Sequence, residues 1–410
     1  MTWGSHMRDL VCVDADDVDA FRAALTEALN AGGPAVFPQR ARTAEAGAAA
    51  RKVPPIAAVA NDVALVIQTS GSTAEPKRVA LSGSALRAAV AQSHDALSGA
   101  GNWVLALPVH YVAGAMVVVR TVVAGTELLR ASAGVDGLWD AVASAPVGPL
   151  YAALVPSQLD DALAAAQQNG RARALLRRLD AVLVGGQKLE EPLARRASDL
   201  GVRVVRTYGS TETAGGCVYD GRALGGTRVQ FDAAGRVFIT GPTLASGYLS
   251  SGGAGAFVTD AEGTRWWRSG DLGEWTEDGR VRILGRADSV IISGGVKVNL
   301  IEVEEALHEH GWGRSAVAVA VDDPHWGQRV GVFLDGSLRR HPDGTPVADS
   351  EVSTLLDARF GPAGRPVFVR WLDAGIPMTE TRKPDRGRLR DLAADAAQGA
   401  HNKVDRGEGV

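Results

Sequence analysis

The sequence predicts an α/β fold with two domains, and three observations support this. Between residues 63 and 250, short β-branched runs alternate with helical stretches, which is typical of a domain built on a largely parallel sheet. After about residue 226, short strands and turns replace that alternation and indicate a β-rich subdomain. Beyond Asp288, a Gly-Gly turn leads into a separate α+β pattern. We therefore expect a large N-terminal domain over 8–287, a small C-terminal domain over 288–397 and a disordered tail over 398–410.

Each expected element follows from the spacing of its apolar residues. Residues 8–60 supply one amphipathic helix and an alanine-rich segment that supports the sheet. The expected helices are 18–29, 84–96, 156–178, 190–199, 300–310 and 349–359. The expected strands are 63–67, 103–107, 116–119, 151–155, 181–184, 202–206, 235–239, 279–284, 316–321, 330–334 and 367–372.

Composition favours small-molecule chemistry. The 410 residues carry a net charge of −4, with 46% hydrophobic and 22% charged residues, so neither nucleic acid nor an anionic membrane is expected as a partner. The two cysteines, Cys12 and Cys217, form no CxxC pair, which argues against a disulfide framework or a zinc site.

The sequence also lacks membrane signals. No apolar run reaches the roughly 18 to 20 residues of a transmembrane helix, and the N-terminus lacks the plan of a signal peptide. We therefore expect no membrane insertion and a cytoplasmic location. The sequence leaves self-association into a homo-oligomer open.

A hydroxyl-rich loop that ends in a lysine is the most informative segment. Its members are Thr69, Ser70, Gly71, Ser72, Thr73 and Lys77. Such residues turn backbone N–H groups and hydroxyls toward one anion, and the lysine adds a positive charge, so we expect a phosphate site in a strand, loop, helix context. A Walker loop is excluded because Lys77 lies between Pro76 and Arg78. An ordinary polar turn is the alternative.

A single carboxylate among hydroxyls follows the strand expected over 202–206. The segment consists of Tyr208, Gly209, Ser210, Thr211 and Glu212. It lies at a strand end, where α/β folds place ligands. Because Mg²⁺ takes one or two carboxylates and completes its shell with water and phosphate oxygens, we expect Glu212 to hold Mg²⁺ and Thr211 to donate to a phosphate. A capped helix start explains the same residues without a ligand.

Three later turns carry further candidates. Asp271 and Arg286 flank a hairpin, and an acid at a tight turn can accept both hydroxyls of a ribose. Gly294 and Gly295 form a turn that permits backbone motion or the close approach of a ligand. Lys383 lies in a polar loop near the end of the second domain. Taken alone, each of these is explained as a solvated turn.

In their order along the chain, these segments resemble the core motifs of the adenylate-forming enzymes, the family of acyl-CoA ligases, luciferases and peptide-synthetase adenylation domains. The matching segments are 69–77, 108–111, 208–212, 269–271, 285–288 and Lys383. The resemblance covers residues 63–390. Within the family, residues 69–81 and 106–114 are most similar to the o-succinylbenzoate–CoA ligases of menaquinone biosynthesis.

The resemblance implies an ATP-dependent acid–CoA ligase that uses Mg²⁺ and CoA and has a mobile C-terminal domain. It implies that the loop from Thr69 to Lys77 grips the ATP phosphates. It also implies that Thr211 and Glu212 serve phosphate and Mg²⁺, and that Asp271 and Arg286 hold the ribose.

The remaining roles are implied in the same way. Gly185 and Gly186 would line the acyl and adenine side, and His110 would lie at the carboxylate of the acid. Asp288 would be the hinge and Lys383 the lysine of adenylation. Gly294 and Gly295 would border the path of CoA.

Three residues depart from the family pattern, which usually has glycine where Ala74, Arg78 and Arg382 stand. Other functions share the nucleotide motifs: a stand-alone adenylation enzyme that loads a carrier protein, a ligase for another aryl or fatty acid, and a non-catalytic nucleotide-binding protein. Arg120 is a candidate for a second carboxylate of the acid, although an arginine that closes an apolar segment is more often exposed.

Overall fold

The computed structural model describes residues 7–30, 32–40, 57–69, 77–249, 255–312, 316–341, 343–379 and 383–404. The chain separates into two compact units. The large unit comprises Met1–Ser269 and Gly273–Arg282, and the small unit comprises Gly270–Leu272 and Ile283–Val410. Within the described ranges, no helix combines the length and the apolar character needed to cross a membrane.

The described elements are named in chain order. The strands up to residue 286 are β1 (Met7–Asp14), β2 (Ala35–Gln39), β3 (Ala58–Ala60), β4 (Val63–Thr69), β5 (Lys77–Ser82), β6 (Asn102–Leu105), β7 (Leu128–Arg130), β8 (Leu150–Leu154), β9 (Ala181–Gly185), β10 (Val204–Ser210), β11 (Gly215–Tyr219), β12 (Arg222–Ala223), β13 (Arg228–Phe231), β14 (Arg236–Thr240), β15 (Gly247–Tyr248), β16 (Phe257–Thr259), β17 (Arg265–Trp275) and β18 (Val281–Arg286). The helices of the large unit are α1 (Val18–Leu29), α2 (Gly83–Leu97), α3 (Val112–Ala124), α4 (Val135–Ser144), α5 (Pro156–Gln168), α6 (Gly170–Leu176) and α7 (Glu191–Asp199). The later strands are β19 (Val290–Ser293), β20 (Val296–Asn299), β21 (Ala316–Asp323), β22 (Gly327–Asp335) and β23 (Phe368–Leu372). The later helices are α8 (Leu300–Leu307), α9 (Asp349–Phe360) and α10 (Arg386–Val404).

Three sheets organise the large unit. Their strand orders are β15-β5-β4-β2-β1-β3, then β12-β11-β10-β9-β8-β6-β7, then β13-β14-β17-β16 with β18 paired to β17. In the second sheet, β7, β6, β8, β9 and β10 are all parallel. This confirms the predicted α/β fold with a parallel sheet and a β-rich part. The carboxyl ends of β9 and β10 therefore meet at one edge, where the predicted glycine and carboxylate segments lie.

Helix α1 shows how local sequence sets the elements. The Asp17 side chain accepts a hydrogen bond from the Ala20 N–H and so caps the first turn. The helix then buries Phe21, Leu25 and Leu29, spaced four residues apart, on one face. This agrees with the helix predicted over 18–29.

Three expectations about elements are wrong. The predicted strand at 116–119 lies inside helix α3, whose central residues are buried, so tertiary packing overrides the strand preference of three consecutive valines. Residues 8–60 contribute strands β1, β2 and β3 to a sheet, besides the predicted helix. Strand β5 separates the hydroxyl-rich loop from helix α2 because residues 78–82 are buried in the first sheet. The loop therefore connects two antiparallel strands.

The small unit is an α+β structure, as predicted. Its sheet has the order β20-β19-β22-β21, with β23 parallel to β22. The inner face of the sheet packs with α8 and α9 around Val303, Leu307, Val332 and Leu356. Helix α10 packs on the opposite side through Leu389 and Ala393. It extends to Val404, into the segment for which the sequence predicted disorder, because its alanine-rich sequence favours helix.

An ion pair between the buried Glu304 and the half-buried Arg386 joins three segments of the small unit. Arg386 Nη2 donates to both carboxylate oxygens of Glu304, at 2.8 Å each, and Arg386 Nη1 donates to the Ala318 carbonyl oxygen at 3.1 Å. Glu304 also accepts from the Ala318 N–H at 2.9 Å. These contacts hold together helix α8, strand β21 and the start of α10. Arg386 lies three residues after Lys383 in the sequence.

We expect Arg386→Leu to lower the free energy of unfolding of the small unit by about 3 kcal/mol, because the Glu304 carboxylate then stays buried without its cation. Denaturant titration of the full chain measures this. The matched control is Arg365→Leu, which removes the exposed Arg365–Asp357 pair of the same unit and should leave the transition unchanged. Equal effects of the two substitutions on the free energy of unfolding would contradict a stabilising role of the Glu304–Arg386 ion pair.

Candidate active site

The candidate metal carboxylate lies in a buried turn at the end of β10. Thr211–Thr213 form a single 3₁₀ turn, and Glu212 is only 8% exposed. The Ser210 hydroxyl accepts a hydrogen bond from the Glu212 N–H at 3.0 Å and donates one to Glu212 Oε2. The capped start that the sequence offered as an alternative is present, and the cap also holds the carboxylate.

Strand β15 supplies a second partner for this carboxylate. Tyr248 pairs with Val79 of β5, and its hydroxyl donates to Glu212 Oε1 at 2.7 Å. Burial and the negative charge of Glu212 raise the pKa of Tyr248, so the phenol keeps its proton and stays a donor. Sequence reasoning missed Tyr248, because the only signal was a Gly-Tyr pair with no pattern that links it to Glu212.

The carboxylate suits Mg²⁺. Each oxygen of Glu212 accepts one hydroxyl hydrogen bond, and since a carboxylate offers about four lone pairs, both oxygens keep capacity for a cation. Across the described part of the chain, no three or more His, Cys, Asp or Glu side chains group into a metal cage. Mg²⁺ needs no such cage, because phosphate oxygens and water complete its shell.

One flank of the hydroxyl-rich loop reaches Tyr248. Thr69 and Lys77 face each other at the end of the β4–β5 pair, and Thr69 Oγ1 donates to the Lys77 carbonyl oxygen at 3.4 Å. Lys77 Nζ lies 5.4 Å from the centre of the Tyr248 ring, within cation–π range. The loop residues Ser70, Gly71, Ser72 and Thr73 lie outside the described residues, as does Ala74.

His110 lies in the turn between β6 and α3. Its ring centre is 4.3 Å from that of Tyr111, and the Tyr111 N–H donates to the Pro108 carbonyl oxygen at 3.2 Å. Helix α3 begins two residues after His110. A Cβ built on Gly215 would lie 3.4 Å from Met116 Cγ, so α3 connects the His110 turn to the turn that carries Glu212.

Arg120 is buried, contrary to the expectation of an exposed side chain. It is 4% exposed, and its Nε and Nη2 each lie 3.3 Å from Ser93 Oγ. Its guanidinium lies 4.7 Å from the centre of the Trp103 ring. Burial, together with the charge of Arg120, lowers the pKa of the neighbouring His94, which favours a neutral ring there. Within the described residues, no carboxylate forms an ion pair with Arg120, so the charge of this buried cation is not neutralised there.

Ser93 extends this cluster. Its hydroxyl lies 2.9 Å from the hydroxyl of Tyr219 on β11, the strand that follows the Glu212 turn. The guanidinium, two hydroxyls and an indole ring thus form a polar group in an otherwise apolar core. Neutral hydroxyls and a ring face stabilise a cation less than a carboxylate does.

Three predicted glycines occupy places that a side chain would disturb. Gly186 has a φ of +79°, which favours glycine. A Cβ on Gly185 would overlap Thr207 Oγ1, and one on Gly209 would overlap the Gly215 carbonyl oxygen. The backbone at the carboxyl ends of β9 and β10 therefore stays bare and can approach a ligand closely.

The small unit brings together three other predicted residues. Arg286 Nη1 lies 3.5 Å from Asp271 Oδ1, and Arg286 Nε lies 3.1 Å from Asp288 Oδ1. One guanidinium is thus shared by the predicted ribose carboxylate and the predicted hinge carboxylate. Asp271 is the less exposed of the two acids.

The remaining small-unit candidates lie in two turns. Gly294 and Gly295, with φ of +56° and +84°, form the two-residue turn between β19 and β20. The Lys383 carbonyl oxygen accepts from the Thr379 N–H at 2.7 Å, which closes the loop that carries Lys383. Burial lowers the pKa of Lys383. Arg382 lies outside the described residues.

Comparison with known proteins identifies the family of this chain. Residues 5–249 match the family model described as AMP-binding enzyme. A relative from Mycobacterium tuberculosis, named "Probable 2-succinylbenzoate–CoA ligase", is 42% identical over 276 residues, which are 66% of this chain and 70% of the relative. The 2-succinylbenzoate–CoA ligase of Bacillus licheniformis is 26% identical over 361 residues, which are 80% of this chain and 70% of the relative.

A solved structure shares the fold. The o-succinylbenzoate CoA synthetase of Bacillus subtilis, in complex with its acyl-adenylate intermediate, matches with a TM-score of 0.67 at 22% identity. The match covers 82% of this chain and 71% of that one. It agrees with the α/β fold described above.

Proposed function

Since the chain belongs to the family of AMP-binding enzymes, we propose that it is an ATP-dependent acid–CoA ligase and that its acid is o-succinylbenzoate. The 42% identity to a relative named for this activity supports the proposal. The observation in this chain that carries the choice of acid is the buried Arg120, which lacks a carboxylate partner among the described residues.

A diacid suits this arrangement. o-Succinylbenzoate has two carboxylates, of which one reacts and the other must leave water. A buried carboxylate needs a cation and hydrogen-bond donors, and Arg120 with Ser93 and Tyr219 supplies both. Met116 and Arg120 are four residues apart on α3 and so share a face. An elongated acid that lies along this face would have its second carboxylate at Arg120.

The first half-reaction activates the acid. A carboxylate oxygen forms a bond to the α-phosphorus of ATP, the α–β phosphoanhydride bond breaks, and pyrophosphate leaves with the electron pair. We assign Lys77 and Lys383 to oppose the negative charge that builds on the phosphates, and His110 to orient the reacting carboxylate. Mg²⁺ at Glu212 would supply Lewis-acid stabilisation of the phosphate oxygens.

Other residues bind the nucleotide in this proposal. Thr211 and the hydroxyl-rich loop, from Thr69 to Lys77, donate to the phosphates. Asp271 and Arg286 hold the ribose, and the bare backbone at Gly185 and Gly186 faces the acyl and adenine groups.

The second half-reaction makes the thioester. The sulfur of CoA attacks the acyl carbonyl of the adenylate, AMP leaves as the bond from the acyl carbon to oxygen breaks, and the thiol proton passes to water. We propose that the C-terminal domain, residues 288–397, turns about Asp288 between the half-reactions and that the Gly294–Gly295 turn borders the CoA path. We place the reaction in the cytoplasm, where ATP and CoA are available.

The test of this function is thioester and AMP formation by the purified chain with ATP, Mg²⁺ and CoA. We expect turnover with o-succinylbenzoate and a far lower kcat/KM with benzoate or a medium-chain fatty acid. Turnover only with another acid would contradict the choice of substrate. Pyrophosphate release without thioester would indicate a carrier protein as acceptor, and no release with any acid would indicate a non-catalytic nucleotide-binding protein.

Arg120→Met tests the second carboxylate. Losing a buried charged contact costs on the order of 3 kcal/mol, so kcat/KM for o-succinylbenzoate should fall about 100-fold. Any residual turnover of benzoate, which lacks that carboxylate, should be unchanged. The control is Arg203→Met, because Arg203 is exposed and also contacts a serine hydroxyl, Ser98 Oγ, at 3.4 Å. Equal losses for both acids would show that Arg120 does not select the diacid.

Lys383→Ala separates the half-reactions. Removal of one charged contact to the phosphates should slow adenylate formation about 100-fold, while thioester formation from preformed adenylate stays close to normal. Single-turnover assays of pyrophosphate and thioester measure the two steps. Arg339→Ala removes an exposed cation of the same unit and serves as the control. Loss of both half-reactions to the same degree would overturn the role of Lys383.

A further inference from the structure

Tyr248 contacts Lys77 and Glu212, the residues to which the proposed function gives the binding of the ATP phosphates and of Mg²⁺. Its hydroxyl donates to Glu212 Oε1 at 2.7 Å, and its ring centre lies 5.4 Å from Lys77 Nζ. The three residues come from β15, the turn after β10 and the start of β5. Tyr248 belongs to none of the sequence motifs described above.

The direction of the hydrogen bond between Tyr248 and Glu212 is fixed by chemistry. An ionised carboxylate can only accept, so the phenol donates and its hydrogen points to Glu212 Oε1. The Glu212 carboxylate therefore faces a donor whose orientation does not depend on the ligand.

The two clamps on the Glu212 carboxylate differ in their anchorage. Ser210 belongs to the same turn as Glu212 and moves with it. Tyr248 is anchored elsewhere: its strand pairs with β5, and its ring centre lies 5.6 Å from that of Phe257. Of these two clamps, only Tyr248 fixes the carboxylate relative to β5, the strand that carries Lys77.

We propose that Tyr248 is a positioning residue for the nucleotide-bound Mg²⁺: it fixes the orientation of the Glu212 carboxylate and the distance of that carboxylate from Lys77. The metal would then meet a ligand oxygen already in place, and the lysine would stay close to the same phosphates without pairing with Glu212. This inference rests on the proposed function for the role of Glu212.

The substitution that tests it is Tyr248→Phe, which keeps the ring and removes the hydroxyl. Loss of a hydrogen-bonding partner of a metal ligand typically weakens metal affinity about 10-fold or more. We expect the Mg²⁺ concentration that half-saturates binding of a non-hydrolysable ATP analogue, measured by calorimetry on the full chain, to rise about 10-fold. Added Mg²⁺ should restore the binding.

Two controls make the result specific. Tyr151→Phe removes the hydroxyl of a buried tyrosine of the same unit, which donates to the Gly99 carbonyl oxygen at 3.3 Å, and should leave the Mg²⁺ dependence unchanged. In a Glu212→Gln background, Tyr248→Phe should add no further change, because the tyrosine acts through that carboxylate. An additional loss there would show that Tyr248 acts independently of Glu212 and would overturn the proposal.

The remaining outcomes are decisive as well. An unchanged Mg²⁺ dependence in Tyr248→Phe, or a loss of binding that added Mg²⁺ does not restore, would overturn the positioning role. A chain that binds the Mg²⁺-nucleotide but forms no thioester with any acid would contradict the proposed ligase function alone, since the calorimetric comparison needs no turnover.

Discussion

The hydrogen bond between Tyr248 and Glu212 is the interaction on which the candidate site depends, because it joins elements of separate sheets. Around it, the Ala245 N–H donates to the Glu212 carbonyl oxygen, the Ser246 N–H donates to the Ala80 carbonyl oxygen, and Arg265 Nη1 donates to the Ala245 carbonyl oxygen, each at 2.8 Å. One short segment therefore ties the turn after β10 to β5 and to β17. The lysine and the carboxylate of the site keep their places through this tie.

Two buried ionised groups of the large unit, Glu212 and Arg120, are incompletely compensated. Among the residues that the structure describes, Glu212 has hydroxyl donors but no basic side chain as a hydrogen-bond partner, and Arg120 has a hydroxyl and an aromatic ring but no acid as a partner. Burial of an unpaired charge is costly, so a ligand that completes either group gains affinity from it. A Mg²⁺-nucleotide at Glu212 and the second carboxylate of the acid at Arg120 would compensate both charges. The small unit differs, because its buried Glu304 is paired with the half-buried Arg386.

Sequence patterns predicted what depends on local periodicity. The alternation of strands and helices predicted a largely parallel sheet, and β8, β9 and β10 are parallel. The apolar spacing of residues 18–29 predicted helix α1. Sequence patterns failed where tertiary burial decides: the valines of α3 favour a strand in isolation, yet the segment is a helix buried in the core. Tyr248 could not be predicted, because its partner lies 36 residues away. The burial of Arg120 likewise depends on residues distant in sequence, Ser93 of α2 and Trp103 of β6, whereas an arginine side chain by itself favours exposure.

Adenylation by this site is measured by exchange of labelled pyrophosphate into ATP, in the presence of Mg²⁺ and the absence of CoA. This exchange requires reversible adenylation and is independent of the second half-reaction. We expect exchange that depends on o-succinylbenzoate and is strongly reduced in Glu212→Gln. Exchange that needs no acid, or none with any carboxylic acid while the nucleotide still binds, would contradict the claim that this site adenylates a carboxylate.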